Sequence, residues 1–333
     1  MCKNNAYLFN KLEQLRKSPF SSTLETLNKR AKAKYSQEPL LEALVNLNSP
    51  LKHQYINSLD CSTILNAQGD KCTSRYCNNR FCKICNRIRT GKLINGYSDQ
   101  LLMLTDPQFL TLTIPNVPAL ELRDTIKNMG KTIRKIQDNR RKAFLPLITG
   151  VRKLECTYNV DRDDYHPHYH FIIESEQIAN EVIEAWLNFY PNANIKAQKT
   201  ITATDCKELF KYFTKLTSKT GDKYKNGSKL IDEWCFPEAI DLIFQAISHL
   251  RIIQPMGGIK LVKKAEEVEE LQSIELDETV VITEGITLYT WYNDNWVNFT
   301  TGEQFTSFKP PKNLQYFRKK IRYLHKTKII QHE

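Results

Sequence analysis

The segment YHPHYHFII at residues 165–173 holds three of the seven histidines of this chain. It runs straight into β-branched apolar residues and is therefore predicted to be a strand. Alternate side chains of a strand share a face, so His168 and His170 project together about 6.5 Å apart. Two neutral imidazoles at that separation can grip one divalent ion. The same pair can equally sit on a half-exposed strand, bonded to neighbouring groups without any metal. His166 shares their face, and Pro167 can bend it away. The preceding RKLECTYN at 152–159 is also a predicted strand, and the Asp-rich stretch after it is the turn of a hairpin. With Asp161 facing Asp164, Glu155 falls opposite His170 and Thr157 opposite His168, so Glu155 completes a His, His, carboxylate site for Mg²⁺ or Mn²⁺. A slip of one residue would turn Glu155 to the other face.

Two further constellations carry chemistry. In KCTSRYCNNRFCKICNRIRTGK, the spacing Cys72-x4-Cys77-x4-Cys82-x2-Cys85 suits a tetrahedral Zn²⁺ site, leaving Cys61 as a spare. Buried free thiols or an iron-sulfur cluster are the alternatives, and a cluster would colour the protein. Arg75, Arg80, Lys83, Arg87, Arg89 and Lys92 interleave with these cysteines and make a surface suited to phosphates. Farther on, Glu208, Tyr212 and Lys215 are spaced by four and three, which places them on one face of a helix. They are candidates for base, nucleophile and oxyanion partner. They can also be a surface Glu and Lys beside a core tyrosine.

The elements that position these groups follow from periodicity. Residues 1–56 are predicted helical and amphipathic. FLTLTIPN at 109–116 is a strand with leucines on one face and threonines on the other, stopped by Pro115. Helices are predicted over 93–104, 119–143, 177–190 and 234–253, the last ended by Gly257 and Gly258, with a short strand over 194–202. An acidic stretch at 265–278 leads to a β-hairpin over 279–299 turning at Asn293, Asp294 and Asn295. The tail 304–332 has no acidic residue and mixes lysines and arginines with Phe305, Phe308, Tyr316, Phe317 and Tyr323, a composition fit for phosphate contact and base stacking.

With 333 residues, 41% hydrophobic content and a formal charge of +11, the chain has ample core and a bias toward a polyanionic partner. No signal peptide and no run of about eighteen apolar residues is present, so a cytoplasmic protein without a membrane partner is expected. Nine cysteines, five of them between Cys61 and Cys85, fit metal thiolates better than a disulfide framework.

Taken in order, FLTLTIPN at 109–116, HPHYHFII at 166–173 and Glu208-x3-Tyr212 resemble the three motifs of rolling-circle replication initiators from small bacterial plasmids. These belong to the HUH endonucleases, and the chain is most similar to the branch whose third motif pairs a glutamate with the tyrosine. CNNRFCKICN at 77–86 resembles the cysteine stretch that precedes those motifs there. The resemblance runs from about 72 to 256. It implies an α+β fold, in which an antiparallel sheet with flanking helices carries the metal site. The expected organisation is an N-terminal helical region (1–60), a cysteine-rich zinc-binding segment (61–97), a nicking domain (98–256) and a small basic C-terminal extension (257–333). It also implies nicking of one strand at a single-stranded or cruciform plasmid origin. Tyr212 would hold the 5′ end as a phosphotyrosine, Lys215 would stabilise phenolate or phosphate, and Glu208 would activate water to end the cycle. A host helicase and DNA polymerase are the implied partners. A single-strand transposase of the same superfamily, which shares the later tyrosine, and a non-catalytic zinc-stabilised DNA-binding repressor are the competing expectations.

Overall fold

The computed structural model of the chain describes residues 24–68, 71–203, 209, 236–262, 287–316 and 318–319. In chain order its elements are α1 (Leu24–Val45), α2 (Lys52–Asp60), β1 (Ile64–Gln68), β2 (Lys71–Ser74), α3 (Lys83–Leu102), β3 (Gln108–Thr113), α4 (Ala119–Lys142), β4 (Gly150–Asn159), β5 (Asp164–Ile173), α5 (Glu176–Phe189), a 3-10 turn (Ile195–Ala197), β6 (Lys199–Thr202), α6 (Pro237–Ile247), β7 (Ile253–Met256), β8 (Thr287–Tyr292) and β9 (Asn295–Asn298). The fold is α+β with two antiparallel sheets, and the chain divides into two compact units. No helix among the described residues is long and apolar enough to cross a membrane.

The first unit, built mainly from residues after Arg89, centres on a five-stranded sheet of order β6-β3-β5-β4-β7. Strand alternation divides its residues between two faces. Leu110, Leu112, Leu154, Tyr169 and Phe171 are buried on one face, and α4 and α5 cover it. Helix α4 buries Leu122, Ile126, Met129, Ile133 and Ile136, three or four residues apart, and places Arg140, Arg141 and Lys142 in its last turn, where the helix dipole favours cations. Helix α5 starts at Ser175, whose hydroxyl accepts the Ile178 N–H. Its Trp186 is fully buried and donates Nε1–H to the Thr113 carbonyl at 2.9 Å, tying the helix to the end of β3. The other face carries the histidines and, toward one end, a cluster of Tyr97, Leu101, Leu104, Val151, Ile172, Leu209 and Ile259.

Three expected elements differ, the strand expected over 194–202 being a 3-10 turn at Ile195–Ala197 and a strand only over Lys199–Thr202. Helix α3 begins ten residues before the expected start because the cysteine segment itself turns into it; Gly91 and Gly96 obscure the apolar period in the sequence. Gly96 is needed there, since a Cβ would stand 2.4 Å from Leu261 Cδ1 and 3.0 Å from the Val262 carbonyl. The helix expected over 234–253 is shorter: α6 stops at Ile247, His249 takes a left-handed φ of 62°, and the chain enters β7 along the open edge of β4. Gly257, with φ +63°, therefore turns the chain after a strand, and a Cβ there would lie 2.5 Å from Thr149 Cα. Pro255 is tolerated in β7 because that strand is at the sheet edge.

The second unit contains α1, α2 and a four-stranded sheet of order β2-β1-β8-β9. This sheet brings together strands from the regions expected at 61–97 and 257–333. β8 pairs with β1 from Ile64 opposite Thr290 to Ala67 opposite Thr287, so the late hairpin completes the sheet begun by the cysteine segment. Leu27, Ala31, Leu65, Cys72 and Trp296 form its core, with Tyr289, Trp291, Phe305 and Phe308 packed on it. Buried Lys34 donates to the carbonyls of Leu59 and Cys61, both at 2.9 Å, and to Thr63 Oγ1. Trp296 is fully buried and donates Nε1–H to the Ser62 carbonyl. Trp296→Ala is expected to destabilise this unit by about 3–5 kcal/mol in chemical denaturation; a loss below about 1 kcal/mol, within the range of surface changes, would show that the late hairpin is dispensable to the core.

Candidate active site

The hairpin of β4 and β5 brings the site together. Its register pairs Asn159 with Asp164, Thr157 with His166, Glu155 with His168, Lys153 with His170 and Val151 with Ile172. This is offset by two residues from the expected pairing, because the turn is a tight four-residue loop over 160–163 with Asp163 at φ 50° and the Arg162 N–H bonded to Asn159 Oδ1. An even offset leaves every side chain on its expected face. Glu155 therefore still meets the histidines, opposite His168 rather than His170. Its Oε2 lies 3.6 Å from the Nε2 atoms of both His168 and His170. The three donor atoms lie within 4.8 Å of one another.

Each imidazole is oriented from behind. His168 Nδ1 faces the His166 carbonyl at 3.0 Å, which fixes the ring so that Nε2 is turned toward Glu155 Oε2. His170 Nδ1 is 3.0 Å from Thr111 Oγ1 on β3, and its ring packs on Phe109 with centroids 5.2 Å apart. Burial alone would raise the Glu155 carboxyl, but the hydrogen bonds of His168 and His170 and the charge of Lys153 outweigh it and hold the group below the ordinary carboxylate range. Lys153 Nζ is 2.5 Å from Glu155 Oε1. Donors of an octahedral ion at about 2.1 Å stand about 3 Å apart, so small side-chain adjustments would close this set around Mg²⁺ or Mn²⁺ with positions left open.

His166 stands outside the three-ligand group. It stacks on His168 at 5.1 Å and its Nδ1 is held 2.9 Å from Asn116 Oδ1, while Asn116 Nδ2 donates to Asp164. Pro167 does not bend the strand away. Tyr165 directs its N–H toward Val117, so the missing N–H of Pro167, two residues on, faces the same side, where β3 has already ended.

Glu208, Tyr212 and Lys215 lie outside the described residues. Leu209 between them is described: it is helical, fully buried and part of the cluster with Val151 and Ile172, two residues on the histidine face. The sequence reading missed Lys153, Thr111 and Asn116. Lys153 was accessible from strand parity, being two residues before Glu155; Asn116 carries no local signal.

The thiolate set is corrected in one member. Cys61, Cys77, Cys82 and Cys85 converge, while Cys72 is buried in the apolar core of the second unit. Cys72 points there because it pairs with Ala67 on the inner face of the β1–β2 hairpin, whereas Cys61 precedes that hairpin. The sulfurs of Cys61 and Cys85 are 3.5 Å apart and those of Cys77 and Cys85 3.6 Å, against about 3.8 Å for sulfurs around tetrahedral zinc. Backbone N–H groups support three of them: Cys77 N to Cys61, Asn79 N to Cys77 and Cys85 N to Cys82. Hydrogen bonds from Cys61, Cys82 and Cys85 hold the Cys77 thiol well below its usual range, while those with Cys77, Cys82 and Cys85 push the Cys61 thiol up, as befits sulfurs packed this closely. Of the cations expected to face phosphate here, Arg89 instead donates to Asn78 and Asn86, and Lys83 to Ser36.

Comparison with known proteins places the histidine motif in context. Residues 71–181, about a third of the chain, match the family described as Replication protein. A protein named Protein rep from Staphylococcus aureus is 39% identical over 127 residues, covering 34% of this chain and 55% of that protein. One of the same name from Streptococcus pneumoniae is 33% identical over 108 residues, 29% of this chain and 32% of that one. A third, from Lentilactobacillus hilgardii, is 25% identical over 236 residues, 62% of this chain and 72% of that protein. The matched stretch thus spans about half or less of the first two relatives. No solved structure matches. The resemblance to replication initiators carried by the motifs is supported by these matches.

The corrected thiolate set has a direct check. Titrated with Zn²⁺, the chain is expected to take up one equivalent at this set, Cys61→Ser to lose it and Cys72→Ser to keep it. The opposite pattern in metal analysis would restore Cys72 as a ligand.

Proposed function

We propose that the chain is a plasmid replication initiator of the HUH type, in the branch with a Glu-x3-Tyr third motif, acting in the cytoplasm on plasmid origin DNA. One observation carries this reading: within a segment that matches the replication protein family, Glu155, His168 and His170 turn their donor atoms toward a single point on one face of the sheet. Each imidazole is held at Nδ1 with Nε2 directed at one carboxylate, the orientation that a shared metal ion would need.

In this reading Tyr212 is the nucleophile. Its phenolic oxygen forms a bond to the scissile phosphorus as the bond from phosphorus to the 3′ oxygen breaks; the phenol gives up its proton and the departing oxygen takes one. The products are a 5′-phosphotyrosine and a 3′-OH that a host polymerase extends, with a host helicase opening the duplex. The covalent bond conserves the energy of the broken one for later strand transfer. When bound, Mg²⁺ or Mn²⁺ supplies charge neutralisation at the non-bridging phosphate oxygens. Lys215 is assigned to the phenolate or phosphate, and Glu208 to activating the water that ends the cycle. The cysteine set is assigned structural zinc, and the net charge of +11 suits the polyanionic substrate.

Incubation of the chain with labelled origin oligonucleotide and Mn²⁺ is expected to give a protein-linked fragment on a denaturing gel. Tyr212→Phe and His170→Ala are each expected to remove it. An adduct that persists in Tyr212→Phe would overturn the nucleophile, and origin binding that survives chelation with no cleavage would favour a DNA-binding repressor.

A further inference from the structure

Among the described residues, Lys153 is the most deeply buried charged group on the histidine face. Its side chain is 1% exposed, it stands directly opposite His170 in the β4–β5 register, and its ammonium is 2.5 Å from Glu155 Oε1. A buried ammonium is costly unless a charge partner and good geometry offset the lost hydration. Here the partner is itself a candidate metal ligand. The two carboxylate oxygens are thereby separated in role: Oε1 is held by Lys153, and Oε2 faces the two Nε2 atoms.

We propose that Lys153 is a positioning residue that restricts Glu155 to one-oxygen coordination and cancels its charge at the metal centre. The inference rests on reading Glu155, His168 and His170 as a metal site. Two physical consequences follow. A carboxylate whose second oxygen is engaged by an ammonium does not chelate through both, so a coordination position stays open for a phosphate oxygen. The Glu155 and Lys153 charges sum to zero, so a bound divalent ion presents its full charge to the phosphodiester. Lys153 thus trades metal affinity for electrophilic strength at the phosphate.

This assigns an unusual sign to its removal. Losing a residue that only held Glu155 in place would weaken metal binding. Losing Lys153 in the proposed role frees Oε1, leaves the site with a net negative charge and tightens metal binding, while the more neutralised ion serves phosphate less well. The change is expected to be about tenfold in affinity, the low end of what outer-sphere partners do to metal sites, but in the opposite direction.

The test uses the full chain with Mn²⁺ alone as the probe, measured by calorimetry and by the shift in Tm between metal-free and saturated protein. Lys153→Met is expected to bind Mn²⁺ about tenfold more tightly than wild type, to show the larger Tm shift, and to nick origin oligonucleotide at least about tenfold more slowly. Lys153→Arg, which keeps the charge, is expected to stay near wild type in affinity. Lys153→Gln keeps a donor for Oε1 without charge and also serves where Lys153→Met fails to fold; it too is expected to bind more tightly. Neutral variants that bind Mn²⁺ equally or more weakly, while wild type binds it, would overturn the proposal and leave the metal site standing. Wild type that takes up no Mn²⁺, or takes it up undiminished in His168→Ala, would overturn the metal reading itself and this inference with it.

Discussion

The period-two alternation of β5 is the constraint on which the rest depends. Its even-numbered residues His166, His168, His170 and Ile172 take one face, and Tyr165, Tyr169, Phe171 and Ile173 take the other, where they are buried. One face is thus required for packing, and the register is locked by it: a one-residue slip would drive imidazoles into the core under α4 and α5. Arg152 strengthens the lock from the packed side, its guanidinium lying 4.7 Å from the Tyr169 ring centre while Nη2 donates to Gln254. The histidine face is therefore free to carry chemistry because its opposite face supplies the stability.

The donor set is organised by charge as much as by shape. Glu155 is the acidic member of a four-group arrangement with His168, His170 and Lys153, and every member but Lys153 offers a ligand atom to the same point. The His166 carbonyl and the Thr111 hydroxyl hold the two rings at Nδ1, so that both Nε2 atoms face the same carboxylate oxygen. The thiolate group is organised differently, by peptide N–H groups pointing at sulfur. Three donors would leave positions open around an ion, as catalysis requires, whereas four sulfurs would close one, as a structural role requires.

Much of this was legible in the sequence because it depends on local parity. The His-x-His pair, the face of Glu155, the amphipathic run of α4 and the hairpin over β8 and β9 each follow from spacing within a few residues. The exact partner of Glu155 was not legible, since it depends on whether the turn spends four residues or two. Nor was Cys61, which enters the thiolate set only because the β1–β2 hairpin folds back and carries Cys72 inward with Leu65 and Ala67. Strand β7, which shares only Ile253 with the expected helix and follows directly on it, was not legible because its pairing with β4 joins residues about a hundred apart and leaves no local mark. Lys153 was passed over although its parity matched, since a lysine on a strand ordinarily faces water.

The central claim is that one divalent ion binds where Glu155, His168 and His170 converge. Anomalous scattering from a crystal of the chain soaked in Mn²⁺ measures this directly. The account expects a single peak on the histidine face, bonded to both Nε2 atoms and to Oε2 of Glu155 alone, with Lys153 still on Oε1. A peak elsewhere, or none at these three residues at saturating Mn²⁺, would contradict it.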